Sequence, residues 1–327
     1  MMSFRALRLH AGSPEPERRL EQLHLDDLSP GQVVVEVAWS SINYKDALAS
    51  RGRNDIVRRY PRIGGIDFTG VVLDSSDPRF RRGDEVIVHG FGIGVDHDGG
   101  HAQVARVSGD WVMRLPSAFS LFDGAVLGAA GYTAGLSLHL MELNGLVPAQ
   151  GPVLVSGATG GVAGIAIDML AQRGYRVTAM TGKALAYDYL RALGATEVVA
   201  RIAAQGEAKP LEKAQWAGAV DSVGGTTLAW LTRTMLPQGV IASFGNAGGM
   251  ELDTTVLPFI LRGIRLIGVN ANSPMPLREV VWAKMAGDYR PQRLDRVAHV
   301  IGLEELPKSL DLMLEGKLQG RTVIRMR

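Results

Sequence analysis

One stretch limits the fold more than any other: Pro152-Val153-Leu154-Val155-Ser156-Gly157-Ala158-Thr159-Gly160-Gly161-Val162-Ala163-Gly164-Ile165-Ala166. Val153 to Val155 form a short apolar run of the kind buried on both faces of a sheet. Glycines interrupt it, and from Val162 apolar residues recur at helical spacing through Ile165, Ala166, Met169 and Leu170. Strand, glycine-rich turn and helix together make the context that a dinucleotide-binding fingerprint requires. Glycines let main-chain N–H groups approach a pyrophosphate, and the helix start adds unpaired N–H groups and the positive end of a dipole. The spacing Gly157-x-x-Gly160-Gly161-x-x-Gly164 departs from the plain G-x-G-x-x-G, because Thr159 fills the middle glycine position of one register. A tight turn in an ordinary α/β protein is the competing reading, and the residues downstream weigh against it.

The next strand, Tyr175 to Met180, runs into Thr181-Gly182-Lys183. A site that prefers NAD carries an acid there for the ribose hydroxyls. Here a hydroxyl, a glycine and a cation stand in its place, a set suited to a 2′-phosphate. Charge-assisted hydrogen bonds contribute roughly 1.5–3 kcal/mol, or about ten- to a hundred-fold in favour of NADPH over NADH. The other reading of Lys183 is a cation on the solvated face of the following helix.

Strands and helices then alternate. Glu197–Ala200, Gly218–Val223, Gly239–Gly245 and Arg265–Val269 read as strands, with a helix from Thr226 to Met235. This alternation predicts a parallel, doubly wound sheet. The first 125 residues differ. Gln32–Trp39, Gly70–Leu73 and Asp84–Val88 read as strands punctuated by Pro78, Gly83, Gly90, Gly92, Gly94, Gly99 and Gly100, which predicts a small antiparallel barrel. A helical pattern from Ser120 to Leu143 crosses between the two, and its Gly128-Ala129-Ala130-Gly131 allows either close helix packing or close approach of a cofactor. Helices near 277–285 and 306–314 and a last strand, Arg321–Arg325, follow, and the last strand is expected to return to the barrel. The fold class is thus α/β, with a β-rich domain from 1–124 and 272–327 and a Rossmann doubly wound domain from 125–271.

Composition closes several routes. The 327 residues suffice for two cores. The net charge of +2, from 35 basic and 33 acidic residues, argues against a nucleic-acid partner. Apolar runs are too short for a bilayer span, and Met1-Met2-Ser3-Phe4-Arg5-Ala6-Leu7 lacks a signal-peptide core and reads as the first strand. A cytoplasmic enzyme without membrane association is expected. With no cysteine, the chain has no disulfide, no cysteine nucleophile and no thiolate zinc site. His89, His97 and His101 with Asp96 and Asp98 lack helical ligand spacing, and no metal is expected.

With those residues in place, the chain resembles the zinc-free medium-chain dehydrogenase/reductases of the quinone oxidoreductase type, with the NADPH-dependent acrylyl-CoA reductases as the nearest branch. The resemblance spans essentially the full length. Its markers are Trp39-Ser40-Ser41-Ile42-Asn43-Tyr44-Lys45-Asp46-Ala47, Gly65-Ile66-Asp67-Phe68-Thr69-Gly70, Asp77-Pro78-Arg79-Phe80, Gly109-Asp110-Trp111, the Gly157–Val162 turn, Pro258-Phe259-Ile260-Leu261-Arg262 and Gln319-Gly320-Arg321-Thr322. It implies a GroES-like fold for the β-rich domain, and Asn43 and Ile66 at the places where zinc-dependent relatives carry a cysteine and a histidine. It further implies cofactor contacts at Tyr44, Thr159, Gly160, Gly161, Val162, Thr181, Gly182, Lys183, Arg201, Asn246 and Ile260. Ala163 stands where close relatives often have glycine, a helix-packing position that alanine also fits.

The activity implied is reduction of a short α,β-unsaturated acyl-CoA by NADPH, with hydride going to the β-carbon and no metal. Without a metal, hydrogen-bond donors must meet the carbonyl's developing charge, and Asn43, Tyr44 and the loop's backbone N–H groups are the candidates. Tyr44 has two readings, proton donor to the α-carbon or support for the nicotinamide ring. Arg51, Arg53, Arg58, Arg59 and Arg62 form either a coenzyme A phosphate site or a solvated basic face. A quinone or enone reductase on the same scaffold is the alternative activity, and a non-catalytic NADPH-binding protein the rival from another class. Arg265–Val269 is expected to extend the sheet into a second copy, giving a homodimer.

Overall fold

A computed structural model describes residues 3–201 and 209–327. Met1 and Met2, the lead into the expected first strand, lie outside the described residues. The chain divides into two compact units, one made of 1–130, 272–279 and 298–327, the other of 131–271 and 280–297.

The first unit is β-rich. Its strands are β1 (Ser3–His10), β2 (Glu17–His24), β3 (Val33–Ser41), β4 (Arg62–Ile63), β5 (Asp67–Ser75), β6 (Glu85–His89), β7 (Val104–Val107) and β8 (Val112–Arg114). A short helix, α1 (Tyr44–Ser50), follows β3, and α2 (Leu121–Leu143) leads out of the unit. β3 shows why these residues form a β structure packed on both faces. Val33, Val35 and Val37 have no exposure and join Phe68, Val86 and Val88 in one core, while Val34 on the opposite face packs with Phe4, Ile63 and Val104 in another. Alternation of side chains along a strand puts both faces to use.

The second unit carries β9 (Val153–Val155), α3 (Gly161–Gln172), β10 (Val177–Thr181), α4 (Tyr187–Ala192), β11 (Glu197–Ala200), β12 (Trp216–Asp221), α5 (Gly225–Thr234), β13 (Met235–Ser243), α6 (Leu257–Arg262) and β14 (Arg265–Gly268). Its six strands are ordered β11-β10-β9-β12-β13-β14, and every pair is parallel. This is the doubly wound arrangement with its direction reversed between β9 and β12. Val153, Leu154 and Val155 are all without exposure, as a central strand covered on both faces must be.

The chain ends with α7 (Met275–Ala286), α8 (Leu294–Val297), β15 (Ala298–Gly302), α9 (Leu306–Leu314) and β16 (Arg321–Arg325). β16 pairs with β3, so the last strand returns to the β-rich sheet. Two features differ from the sequence reading. β15 runs parallel to β16, because α9 provides the crossover that a parallel pair needs. Residues 280–297 group with the second unit, whereas the expected boundary at 272 assigned them to the first. Packing explains this: a Cβ on Gly135 would lie 2.8 Å from the Met285 sulfur, so the glycine admits close contact with α7. Asp168, fully buried, accepts N–H bonds from Gln292 at 2.8 Å and Arg293 at 2.7 Å.

Candidate active site

In the second unit the site is built at the carboxyl ends of the parallel strands. Gly157 follows β9 with φ +58°, and a Cβ there would sit 2.4 Å from Ser222 Oγ. Both facts require glycine. Gly160 caps α3 without a side chain, so the first-turn N–H groups face outward for an anion. Thr159 is mostly buried, and Gly160, Gly161 and Val162 stay accessible.

Beneath this turn lies a brace that sequence reasoning missed. Ser156 Oγ donates to Asp221 Oδ1 at 2.6 Å. The fully buried Asp221 also accepts the N–H groups of Val223 at 3.2 Å and Gly224 at 2.9 Å. The ends of β9 and β12, the reversal point where ligands of such sheets bind, are thereby tied together. An acid closing an otherwise apolar strand was the available signal.

Thr181 ends β10, and its Oγ1 accepts the N–H of Lys183 at 3.0 Å, which leaves its own O–H proton to donate. A Cβ on Gly182 would meet nothing within 4 Å. β10 and β11 are paired with Thr181 opposite Ala200, and Arg201 N–H donates to Thr181 O at 2.9 Å. Thr181, Gly182, Lys183 and the exposed Arg201 are therefore neighbours at the ends of β10 and β11, with open space beside Gly182, a donor set that fits a phosphate ester. Asn246, beyond β13, is exposed, and Ile260 on α6 is 70% exposed. The glycine turn and this cluster together fit a phosphorylated dinucleotide.

In the first unit, the loop after β3 carries Asn43 and Tyr44. Asp46 explains the turn: it accepts the Asn43 N–H at 2.8 Å, fixing the start of α1, and the Ile66 N–H at 3.0 Å, tying in the second loop. Burial foremost, and the neighbouring Asp67 charge as well, push the Asp46 carboxyl above its usual pKa, against the pull of His101. The Asn43 side chain is fully engaged. Its amide donates to Asp67 Oδ2 at 3.0 Å and Ser41 Oγ at 3.4 Å, and its oxygen accepts from Arg321 at 3.1 Å. The Tyr44 ring, by contrast, is about half exposed at 48%.

The expected basic cluster separates. Arg51 pairs with Glu15 and Asp311, and Arg62 with Asp98, while Arg53, Arg58 and Arg59 are exposed. Gly128 has φ +45° and interrupts α2, which frees the Ala129 N–H to donate to Asp67 Oδ2 at 2.8 Å.

Zinc does not suit these loops. Neither Asn43 nor Ile66 is a thiolate or imidazole, and the guanidinium of Arg321, already on Asn43 Oδ1 and Ser41 Oγ, would repel a second cation. Among the described residues no group of three His, Cys, Asp or Glu side chains is placed to hold a metal. His89 is bound to Arg278, and burial foremost, with that guanidinium, drives its pKa well below the usual histidine value.

Comparison with known proteins follows the same division. Residues 29–117 match the alcohol dehydrogenase GroES-like domain and residues 161–286 the zinc-binding dehydrogenase family. "Putative quinone oxidoreductase YhfP" of Bacillus subtilis is 46% identical over 99% of both chains. The crystal structure of the Bacillus subtilis protein yhfP with NAD bound gives a TM-score of 0.96 over 99% of this chain and 100% of that one, at 45% identity. Acrylyl-CoA reductase AcuI of Ruegeria pomeroyi is 41% identical over 95% of both chains. The yhdH oxidoreductase from Salmonella enterica in complex with NADP is 41% identical, with a TM-score of 0.95 over the whole of both chains. Likeness of this extent, on a β-rich unit joined to a doubly wound sheet, establishes that the chain belongs to the medium-chain dehydrogenase/reductase family.

Proposed function

We propose that this protein is an NADPH-dependent oxidoreductase that reduces the C=C bond of a short α,β-unsaturated acyl-CoA, acrylyl-CoA to propionyl-CoA. The observation that carries the reading is that Thr181, Gly182, Lys183 and Arg201 are neighbours at the ends of β10 and β11. The acrylyl-CoA reductase at 41% identity supports the substrate class.

The cofactor's chemistry is hydride donation to the β-carbon. The chain's part is to bind and to move a proton. Amides of the Gly160–Val162 turn hold the pyrophosphate, Thr181, Lys183 and Arg201 hold the 2′-phosphate, and Asn246 and Ile260 flank the carrier. Tyr44 supplies the proton to the α-carbon and, with the loop's backbone N–H groups, meets the carbonyl charge. Asn43, its amide hydrogens already on Asp67 and Ser41, serves by holding the loop. The exposed Arg53, Arg58 and Arg59 suit the phosphates of coenzyme A. The protein acts in the cytoplasm as a homodimer. In support, β14 ends the sheet order, and Met250, Val256 and Leu261, in the stretch of chain that leads into it, are 82%, 65% and 63% exposed. Light scattering at the mass of one chain would remove the dimer.

The relative named as a quinone oxidoreductase, at 46% identity, favours a second reading, reduction of quinones or small enones. NADPH oxidation measured with acrylyl-CoA and with a small quinone decides between them. A higher kcat/KM for the thioester is expected, and the reverse order assigns the quinone. Tyr44→Phe then tests the proton donor: turnover should fall about a hundred-fold with NADPH affinity kept. Weakened NADPH binding with normal turnover would leave Tyr44 only a positioning role.

A further inference from the structure

Arg321, at the first position of β16, is 3% exposed. A guanidinium has five N–H donors and cannot leave them unmet in a buried site without cost. Four of them donate hydrogen bonds, and the fifth lies toward a carboxylate. Nε donates to Val126 O at 2.9 Å, and NH1 to Ile42 O at 3.0 Å and Asn43 Oδ1 at 3.1 Å. NH2 donates to Ser41 Oγ and faces Asp67 Oδ2 at 3.5 Å. Asp67, 1% exposed, is as fully used, by Ser41 Oγ, Asn43 Nδ2 and the Ala129 N–H. Three of the four hydrogen bonds from Arg321 fall on consecutive residues, Ser41, Ile42 and Asn43, immediately before Tyr44.

We infer that Arg321 is a positioning residue: one buried cation, locked to Asp67, fixes the Ser41–Asn43 backbone and side chains and so sets where Tyr44 stands. The geometry favours this over a bare structural ion pair, because an ion pair needs only Asp67, whereas this guanidinium spends three donors on the active loop. Lysine cannot replace it, since an ammonium has three donors and no planar fork. The inference rests on the proposed role of Tyr44, but its test has a readout that does not need turnover.

Three variants are compared with the wild-type enzyme: Arg321→Lys, which keeps the charge; Arg321→Gln; and Arg321→Gln with Asp67→Asn, which removes both charges and guards against a variant that fails to fold. Amide hydrogen exchange over residues 41–50 should speed up by about tenfold or more in Arg321→Lys, with residues 153–172 of the other unit unchanged. The kcat for NADPH-dependent reduction should fall by about tenfold or more, with the NADPH Kd within about twofold. The double variant should lose no more activity than Arg321→Gln alone, as expected of residues acting through one network. Unchanged exchange in 41–50, or an equal rise in both segments, overturns the inference. If the wild-type enzyme turned over neither enoyl-CoA nor quinone, the functional reading would fail while the exchange result still decided the role of Arg321.

Discussion

The two units hold their candidate site residues with different materials. In the parallel-sheet unit the cradle is main chain: glycines at 157, 160 and 161, a bare helix start, and strand ends fixed by the sheet order. In the β-rich unit the loop that carries Tyr44 is held by charged and polar side chains from three separated stretches of chain: Ser41, Asn43 and Asp46, then Asp67, then Arg321. A backbone site tolerates exchange of most of its side chains and fails only where a Cβ intrudes. A side-chain network tolerates backbone variety and fails when one member is lost, because its partners are then left buried and unpaired.

The sharpest way to break that contrast is at Gly157. Valine there must adopt φ +58° and place its Cβ 2.4 Å from Ser222 Oγ. Strain of this kind costs about 1–3 kcal/mol before any clash. Gly157→Val should therefore weaken NADPH binding by about a hundred-fold or more, as measured by quenching of protein fluorescence. Binding within a few-fold of wild type would mean that the turn is not a main-chain cradle.

A smaller effect tests whether side chains matter anywhere in the backbone unit. Replacing Lys183 and Arg201 together with alanine removes two cations beside Thr181. The ratio of kcat/KM for NADPH over NADH should drop by about ten- to a hundred-fold, chiefly through KM for NADPH. A ratio that stays fixed would place the phosphate elsewhere. It would also agree with the relative whose structure holds NAD.

The same contrast explains what could be read from the chain alone. The Val153–Ala166 run encodes its strand, turn and helix contiguously, so the doubly wound fold followed from local pattern, and so did the proposal of a phosphate cluster at 181–183. The strand Val33–Ser41 was equally plain, because its valines bury both faces. β2, ERRLEQLH, was not legible as a strand, since six of its eight residues are polar and few of its positions are buried. Nor was the Asp67–Arg321 pair, which joins residues 254 positions apart. The return of the last strand to the first unit was expected, but its pairing with β3, which brings Arg321 to Asp67, has no local signature. Residues 280–297 were placed in the wrong unit for a related reason: their helix pattern says that a face is buried, not against what.

The smallest effect distinguishes two buried carboxylates within the β-rich unit itself. Asp98 and Asp46 each accept backbone N–H bonds, but their pKa values move in opposite directions. Burial raises both. For Asp98, donors win: the N–H groups of Ile63 and Ser29, the Ser29 hydroxyl and the Arg62 guanidinium at 3.1 Å together hold it below the ordinary value. Asp46 has two N–H donors and faces the Asp67 charge, and burial prevails. The signs then follow from linkage. A depressed carboxylate stabilises the fold above its unfolded pKa of about 4, and this is lost as pH falls toward the folded value, because the unfolded chain takes up the proton first. A raised carboxylate acts oppositely: it costs stability at neutral pH, and the cost is relieved as pH falls through its raised value. Urea unfolding followed from pH 6 to pH 3 should show stability falling below about pH 4, by at most about 1.4 kcal/mol per pH unit for each proton taken up. Asp98→Asn removes that proton and should make the acid limb shallower, at the expense of stability near neutrality, where Arg62 loses its partner. Parallel acid limbs for the variant and the wild-type protein would show that the donors around Asp98 do not outweigh its burial.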